Sequence, residues 1–493
     1  MTSNPHKKAV IIGAGVAGIA SAIRLAVKGY QVEVFEANNY PGGKLSEIKQ
    51  DGYRFDAGPS LLTMPRYIDE LFELAGKNPS DYFIYQKLET ICNYFYPDGT
   101  QLKDYSDEER FIKEVEDQIG EPAKSIIKYI RNSETIYNIT NPVFLQKSLH
   151  RLKNYLNWDA LNELISFPQI GAFSTMHGAN KHFFKDERMV QFADRYATYN
   201  GSNPYAAPAT LNVIPHLERH YGAYFPGGGM HSITTSLVKL AENLGVRFNY
   251  NSSVEKIILK GDKAEGIKVN DNLIAADVVI SNMDVWFTYN KLLGAYPYLH
   301  PKRILQQERS SSAFVFYWGI NKQFQQLDLH NIFFSADYKT EFDHIWKEKT
   351  IYHDPTIYLN ITSKYKHDDA PNGCENWFTM VNVPSNTGQD WDKLIAEARQ
   401  NIIDRLSKSL GEDISKLIVS ESILDPRSIE SKTSGYQGAI YGTSSNSKFA
   451  AFLRHANKAS KVKNLYFCGG SVHPGGGIPL CLLSAKIVSE WVA

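Results

Sequence analysis

The sequence predicts an α/β protein, and three observations predict it. An apolar run, Ala9 to Ile12, leads into Gly13-Ala14-Gly15-Val16-Ala17-Gly18 and a helical pattern reaching about Lys28. A second short run, Gln31 to Phe35, ends on the acid Glu36. At the far end of the chain, Asn464 to Phe467, a glycine-rich loop and an apolar stretch from Ile478 to Trp491 repeat the strand–turn–helix order. Such pieces at both ends imply one discontinuous Rossmann-type domain interrupted by an inserted mixed sheet-plus-helices domain.

The elements follow in order. Ala9 to Ile12 lacks polar alternation, as a strand buried on both faces requires. Its helix stops at Gly29, a residue suited to a helix end. The apolar window from Ala9 to Val27 contains Gly13, Gly15, Gly18 and Arg24, so it reads as strand–turn–helix rather than as a membrane span. Asn38 to Lys44 is a loop. From about Tyr94 to Glu218 the chain is helical in texture, rich in Tyr and Lys, and has no βαβ rhythm. Pro226-Gly227-Gly228-Gly229 punctuates it, followed by a helix from His231 to Asn243 and strands Val246 to Tyr250, Val254 to Leu259 and Val278 to Ile280. Gly261-Asp262 is a hairpin signal. An aromatic strand, Phe314 to Trp318, and a helix, Trp391 to Leu410, mark the second insertion. The expected division assigns 1–93, 225–290 and 415–493 to the dinucleotide-binding domain, and 94–224 and 291–414 to the insert.

Composition narrows the function. Lys+Arg and Asp+Glu are each 53 of 493 residues, so no basic excess points to nucleic acid. Cys92, Cys374, Cys468 and Cys481 show neither C-x-x-C nor metal-type spacing, which fits a reducing, cytoplasmic setting and no metal centre. Outside the first window, no stretch reaches about 18 apolar residues. Attachment to a membrane surface stays open. Aromatics are 12%, enough for a large core or an apolar ligand site.

The glycine turn has the context a dinucleotide site needs. Gly13 permits the tight turn, Gly15 lets backbone approach a pyrophosphate, and Gly18 lets helix and strand pack. Backbone N–H groups and the helix dipole then face the phosphate charge. Glu36 follows Gly18 by 18 residues, and its carboxylate suits an unphosphorylated ribose. Tyr40-Pro41-Gly42-Gly43-Lys44 offers a second close backbone approach. The loop 469–477 holds five Gly in nine positions, with Pro479 in the first turn of the next helix.

Tyr40 to Lys44 and Phe55-Asp56-Ala57-Gly58-Pro59 resemble the amine-oxidase-like flavoproteins, in which the glycine pair touches FAD. Leu465 to Pro479, with His473-Pro474-Gly475-Gly476-Gly477-Ile478-Pro479 at its core, resembles the carotenoid desaturases of the bacterial phytoene desaturase type. Val278 to Asp284 and Pro226 to Gly228 extend that resemblance over the whole chain. Three positions depart from the usual pattern: Lys44 replaces an arginine, Gly469-Gly470-Ser471-Val472 replaces an alanine–threonine version, and Leu480 replaces a glycine. The 469–472 variant looks more like the branch that desaturates hydroxylated carotenoids at C-3,4.

The resemblance implies FAD as cofactor and a long apolar polyene as substrate. It implies hydride transfer from the carotenoid end to flavin N5, with proton loss. Gly13, Gly15, Gly18, Glu36, Gly42, Gly43, Lys44 and Gly58 would serve the diphosphate and adenosine side. Val254 would meet the adenine, and Gly470, Gly477, Ile478 and Pro479 would surround the ring. His473 either takes part in proton removal or bonds the backbone. Arg195 and Tyr199 either face the substrate or pack in a Tyr-rich segment. Gln146 to Tyr155 either lies in a lipid headgroup plane or forms a solvated helix face. No second G-x-G-x-x-G follows a strand, so electrons are expected to leave to oxygen or a quinone. The alternatives are a phytoene desaturase making lycopene or neurosporene, an isomerase or saturase of the same fold, and a lipid-escort protein without FAD.

Overall fold

A five-stranded parallel sheet joins the two ends of the chain. The computed structural model describes residues 7–151, 170–447 and 453–492. The strand order is Arg247–Asn249, Gln31–Phe35, Lys8–Ile12, Val278–Ser281, Leu465–Phe467. The first strand in sequence sits at the centre, and successive side chains point to opposite faces. Ala9 and Ile11 pack among the helices Val16–Val27, His231–Asn243 and Ile478–Trp491. Val10 and Ile12 pack instead against Val254, Ile257 and Ile267. Those three belong to an antiparallel meander of Val254–Lys260, Lys263–Val269 and Asn272–Ala275. Burial on both faces is the physical reason for the uninterrupted apolar run.

A seven-stranded sheet makes the second unit. Its order is Ile418–Leu424, Ser312–Ile320, Glu375–Val383, Ile357–Asn360, His330–Phe333, Thr90–Phe95, Gln101–Tyr105. All neighbours are antiparallel except His330–Phe333 and Thr90–Phe95. Phe314, Phe316 and Trp318 on one face meet Ala398, Ile402 and Leu406 of the helix Trp391–Leu410. That helix starts on Asp390, whose side chain accepts from Lys393 N–H, and ends at Gly411 with φ 71°. Ala313, Val315 and Tyr317 on the other face meet Tyr53 and Phe55.

Two strands differ from the expected division. Thr90–Phe95 crosses the boundary at 93, and Ile418–Leu424 joins the large sheet although it follows residue 415. Thr90–Phe95 pairs with His330–Phe333, and Ile418–Leu424 with Ser312–Ile320, each far away in sequence, so local pattern carries no record of that partner. The stretch from Tyr94 to Glu218 is also not purely helical. It contains the strand Gln101–Tyr105 before the helices Glu108–Gln118, Ala123–Thr140, Met176–Phe183 and Glu187–Asp194.

Among the described residues, no helix is long and apolar enough to cross a membrane, and no cluster of His, Cys, Asp or Glu could hold a metal ion. Within the 146–155 segment, residues 152–155 lie outside the described residues. Arg151 stacks its guanidinium 4.8 Å from the Trp491 ring centroid.

Candidate active site

Three glycine-rich turns converge at the carboxyl ends of the parallel strands. Gly13, with φ 95°, donates its N–H to Phe35 O at 2.8 Å. Gly42 donates to Ala14 O at 2.8 Å, tying the second loop to the first. Close packing demands glycine at several points. A Cβ on Gly18 would lie 2.2 Å from Gly13 O, one on Gly15 2.6 Å from Asn282 Oδ1, and one on Gly58 1.9 Å from Lys44 O. Asn282 bridges the loops. Its N–H donates to Ile12 O at 2.8 Å, and its Nδ2 donates to Cys468 O at 3.1 Å. Sequence reading gave this asparagine no role; its place in Val278 to Asp284, just after a core strand, was the available signal.

These turns open onto one cavity of about 820 Å³, within the range of small-molecule sites. Gly13, Gly15, Glu36, Gly42, Gly43, Lys44, Gly58, Val254, Gly470, Gly477, Ile478 and Pro479 all line it. Gly18 serves the helix–strand packing behind the wall. The helices Val16–Val27 and Ile478–Trp491 begin on Gly15 and Gly477, neither with a side-chain cap. Their first N–H groups, with the dipole behind them, suit an anion and the electron-rich edge of a ring. Glu36 Oε2 accepts from Ala14 N–H at 2.7 Å, and Oε1 accepts from Asn38 N–H at 2.9 Å. Oε1 also accepts from Asn38 Nδ2 at 2.9 Å, so the carboxylate is fixed, with one lone pair on Oε2 left for a ribose hydroxyl. Lys44 is half-buried, and its Nζ donates to Ala439 O and Ile440 O, each at 2.9 Å. Burial lowers its pKa, partly offset by Asp284 and Cys481. Two of its three protons therefore serve the 439–440 segment rather than a diphosphate.

The cavity continues along the large sheet, past Val315, Phe378, Met380 and Ile332, with Leu211 and Leu217 also in its wall. A buried polar cluster is set in this largely apolar wall. Arg195 Nη1 donates to Tyr199 Oη at 3.0 Å, and Tyr199 Oη donates to Glu218 Oε2 at 2.6 Å. Tyr196 Oη donates to Glu218 Oε1 at 2.8 Å. The Arg195 guanidinium lies 5.1, 4.6 and 5.0 Å from the ring centroids of Tyr94, Tyr196 and Tyr199. Burial works against its charge, but the oxygens of Tyr199, Tyr94 and Tyr196 and the carboxyl of Glu218 outweigh it and raise its pKa. Burial raises the Tyr199 phenol above its ordinary value, so it stays protonated. His330 lines the same wall with Nδ1 2.7 Å from Tyr358 Oη. Burial first, and Arg195 second, depress its pKa to about 3. Glu218 and His330 were not singled out in the sequence; neither sits in a recognisable motif, and only folding brings them to Arg195.

His473 is buried behind the C-terminal loop. Its Nε2 donates to Lys147 O at 3.0 Å, and its ring packs 5.5 Å from Phe144. Burial lowers its pKa to about 4, so the imidazole is neutral at neutral pH. Arg195 and Tyr199 face the cavity, whereas His473 holds the loop from outside it.

Fold and cavity together define a dinucleotide-binding protein with a deep apolar site. The family described as flavin containing amine oxidoreductase matches residues 16–493. The chain is 48% identical over 486 residues to the 1-hydroxycarotenoid 3,4-desaturase of Flavobacterium sp. (strain P99-3), covering 99% of each. It is 33% identical to the 4,4'-diapolycopene oxygenase of Methylomonas sp., again over 99% of each. The solved structure of putrescine oxidase bound to putrescine shares the fold, with a TM-score of 0.64 at 13% identity over 99% of each chain. The protein belongs to the flavin-containing amine oxidoreductases, in their carotenoid desaturase group, and is an FAD-dependent enzyme.

The residues present fit FAD. Glycine turns at Gly13–Gly15 and Gly42–Gly43 on the cavity wall, two uncapped helix N-termini and the fixed Glu36 carboxylate match a diphosphate, a ring and a ribose.

Proposed function

We propose that the protein introduces the C-3,4 double bond into a 1-hydroxycarotenoid. The observation that carries this reading is a cavity in which the glycine loops adjoin a largely apolar wall bearing the buried Arg195–Tyr199–Glu218 cluster. The identity to the Flavobacterium enzyme supports it.

The reaction breaks a C–H bond on each of two adjacent carbons. One hydrogen leaves as hydride and the other as a proton, and the remaining electron pair becomes the new π bond. FAD, when bound, supplies the hydride acceptor, and its two electrons pass on to oxygen or a quinone. The chain supplies the surroundings. Gly13, Gly15, Gly42 and Gly43 would hold the diphosphate, Glu36 the ribose, Val254 the adenine, and Gly470, Gly477, Ile478 and Pro479 the ring. The N-terminus of Ile478–Trp491 directs partial positive charge toward negative charge developing beside it. Val315, Met380 and Leu217 exclude water while the polyene carries positive charge. Conjugation spreads that charge, so proton loss needs no strong side-chain base.

The parallel-sheet unit holds FAD in this reading, and the large sheet with its helices receives the carotenoid. The substrate resides in a bilayer, so the enzyme works as a peripheral protein on the cytoplasmic membrane surface; co-flotation with lipid vesicles checks this. Expression in cells making defined carotenoid precursors tests the activity. A 1-hydroxylated precursor is expected to lose two hydrogens by mass and to absorb at longer wavelength. Products of unchanged mass would reject desaturation in favour of isomerisation.

A further inference from the structure

Most of the substrate wall is hydrocarbon, yet Arg195, Tyr199 and Glu218 stand in it as a buried ionic group. Burying such a group is costly, and it adds little stability over apolar packing. The Arg195 guanidinium lies over three tyrosine rings, which accept none of its N–H groups through their oxygens except at Tyr199. Arg195 Nε and Nη2 and His330 Nε2 are buried without a hydrogen-bond partner among the described residues. A plain polyene offers these groups nothing.

The cluster is also tied to the C-terminal glycine loop. Tyr199 is followed by Asn200, whose Oδ1 accepts from Arg454 Nη2 at 3.2 Å. Arg454 Nη1 donates to Gly470 O at 3.4 Å. In a 1-hydroxycarotenoid the hydroxyl oxygen sits only three bonds from C-3. Its binding site must therefore adjoin the loop that surrounds the flavin ring.

Resting on the proposed hydroxycarotenoid reaction, we infer that Arg195, Tyr199 and Glu218, with His330 beside them, form the subsite that recognises the terminal hydroxyl. A hydroxyl both donates and accepts. The Glu218 carboxyl accepts its proton, and the unspent N–H groups of Arg195 donate to its oxygen. An analogue lacking the hydroxyl leaves these groups unpaired, which is the strong form of discrimination. Arg195, Tyr199 and Glu218 are then specificity-determining residues, and they position the C-3,4 bond at the ring.

The test uses purified, FAD-loaded enzyme with a quinone acceptor under anaerobic conditions. kcat/KM is measured for a 1-hydroxycarotenoid and for the same carotenoid without the hydroxyl. Wild-type enzyme is expected to prefer the hydroxylated form strongly. Tyr199→Phe and Glu218→Gln are each expected to lower that preference ratio by about ten- to a hundredfold. Bound-flavin absorbance verifies folding; should Glu218→Gln fail to fold, Tyr199→Phe, which deletes one oxygen, and Arg195→Lys decide. A selective wild type whose folded variants keep its ratio overturns this inference alone. Equal turnover of both substrates by wild type overturns the hydroxycarotenoid reading itself, and the subsite with it.

Discussion

Glu36 Oε2 accepts the backbone N–H of Ala14 at 2.7 Å, so the acid that ends the second strand braces the first glycine turn. One carboxylate thus shapes the diphosphate cradle and faces the ribose position. Glu36→Gln cannot accept at both oxygens. It is expected to weaken FAD binding about tenfold or more, on the scale of one charge-assisted hydrogen bond. Flavin fluorescence titration of the apoprotein measures this; unaltered affinity would remove Glu36 from the site.

Gly15→Ala is expected to abolish flavin loading while leaving a folded chain. The added Cβ would meet Asn282 Oδ1 at 2.6 Å, so Asn282 must move from its place between the loops. Colourless protein with a native circular dichroism spectrum is the expected result. Normal flavin content would show that the turn yields freely.

Lys44→Met removes a cation that satisfies two carbonyls, Ala439 O and Ile440 O. Loss of buried acceptor satisfaction costs about 1–3 kcal/mol per group. A fall in Tm of several degrees is expected even in the apoprotein. A change in FAD affinity with no change in apoprotein Tm would instead assign Lys44 to the cofactor.

Acid sensitivity follows from His330, His473 and His455, a buried imidazole whose Nε2 lies 3.1 Å from Tyr289 Oη. Burial depresses them to about 3, 4 and 4 from an ordinary value of 6.5. Between those values the unfolded chain binds protons that the folded chain refuses. Stability is therefore complete above about pH 6.5 and declines as pH falls toward 4. Thermal melts across this range check the sign; a Tm rising on acidification would refute the burial of neutral imidazoles.

FAD removal is expected to lower Tm, since a ligand that binds only the folded chain stabilises it by about 2.7 kcal/mol at a hundred times its Kd. Calorimetry of apo and reloaded protein reads this directly. Equal melting temperatures would mean that the cavity does not hold the flavin.

The amino-acid sequence by itself determined the dinucleotide half of this protein. Gly13, Gly15, Gly18, Glu36 and the 469–477 loop are local turn chemistry, and their spacing states their geometry before any folding is known. The C-terminal loop also disclosed the carotenoid desaturase resemblance. Only the tertiary structure decided the substrate half. Glu218 and His330 come to Arg195 through packing of separate elements, and no periodicity encodes such a meeting. Likewise, Ile418–Leu424 could not be assigned to its sheet until Ser312–Ile320 was seen beside it. The same rule separates His473 from Tyr199: a motif marks where a residue stands in the chain, while the fold decides which cavity its side chain faces.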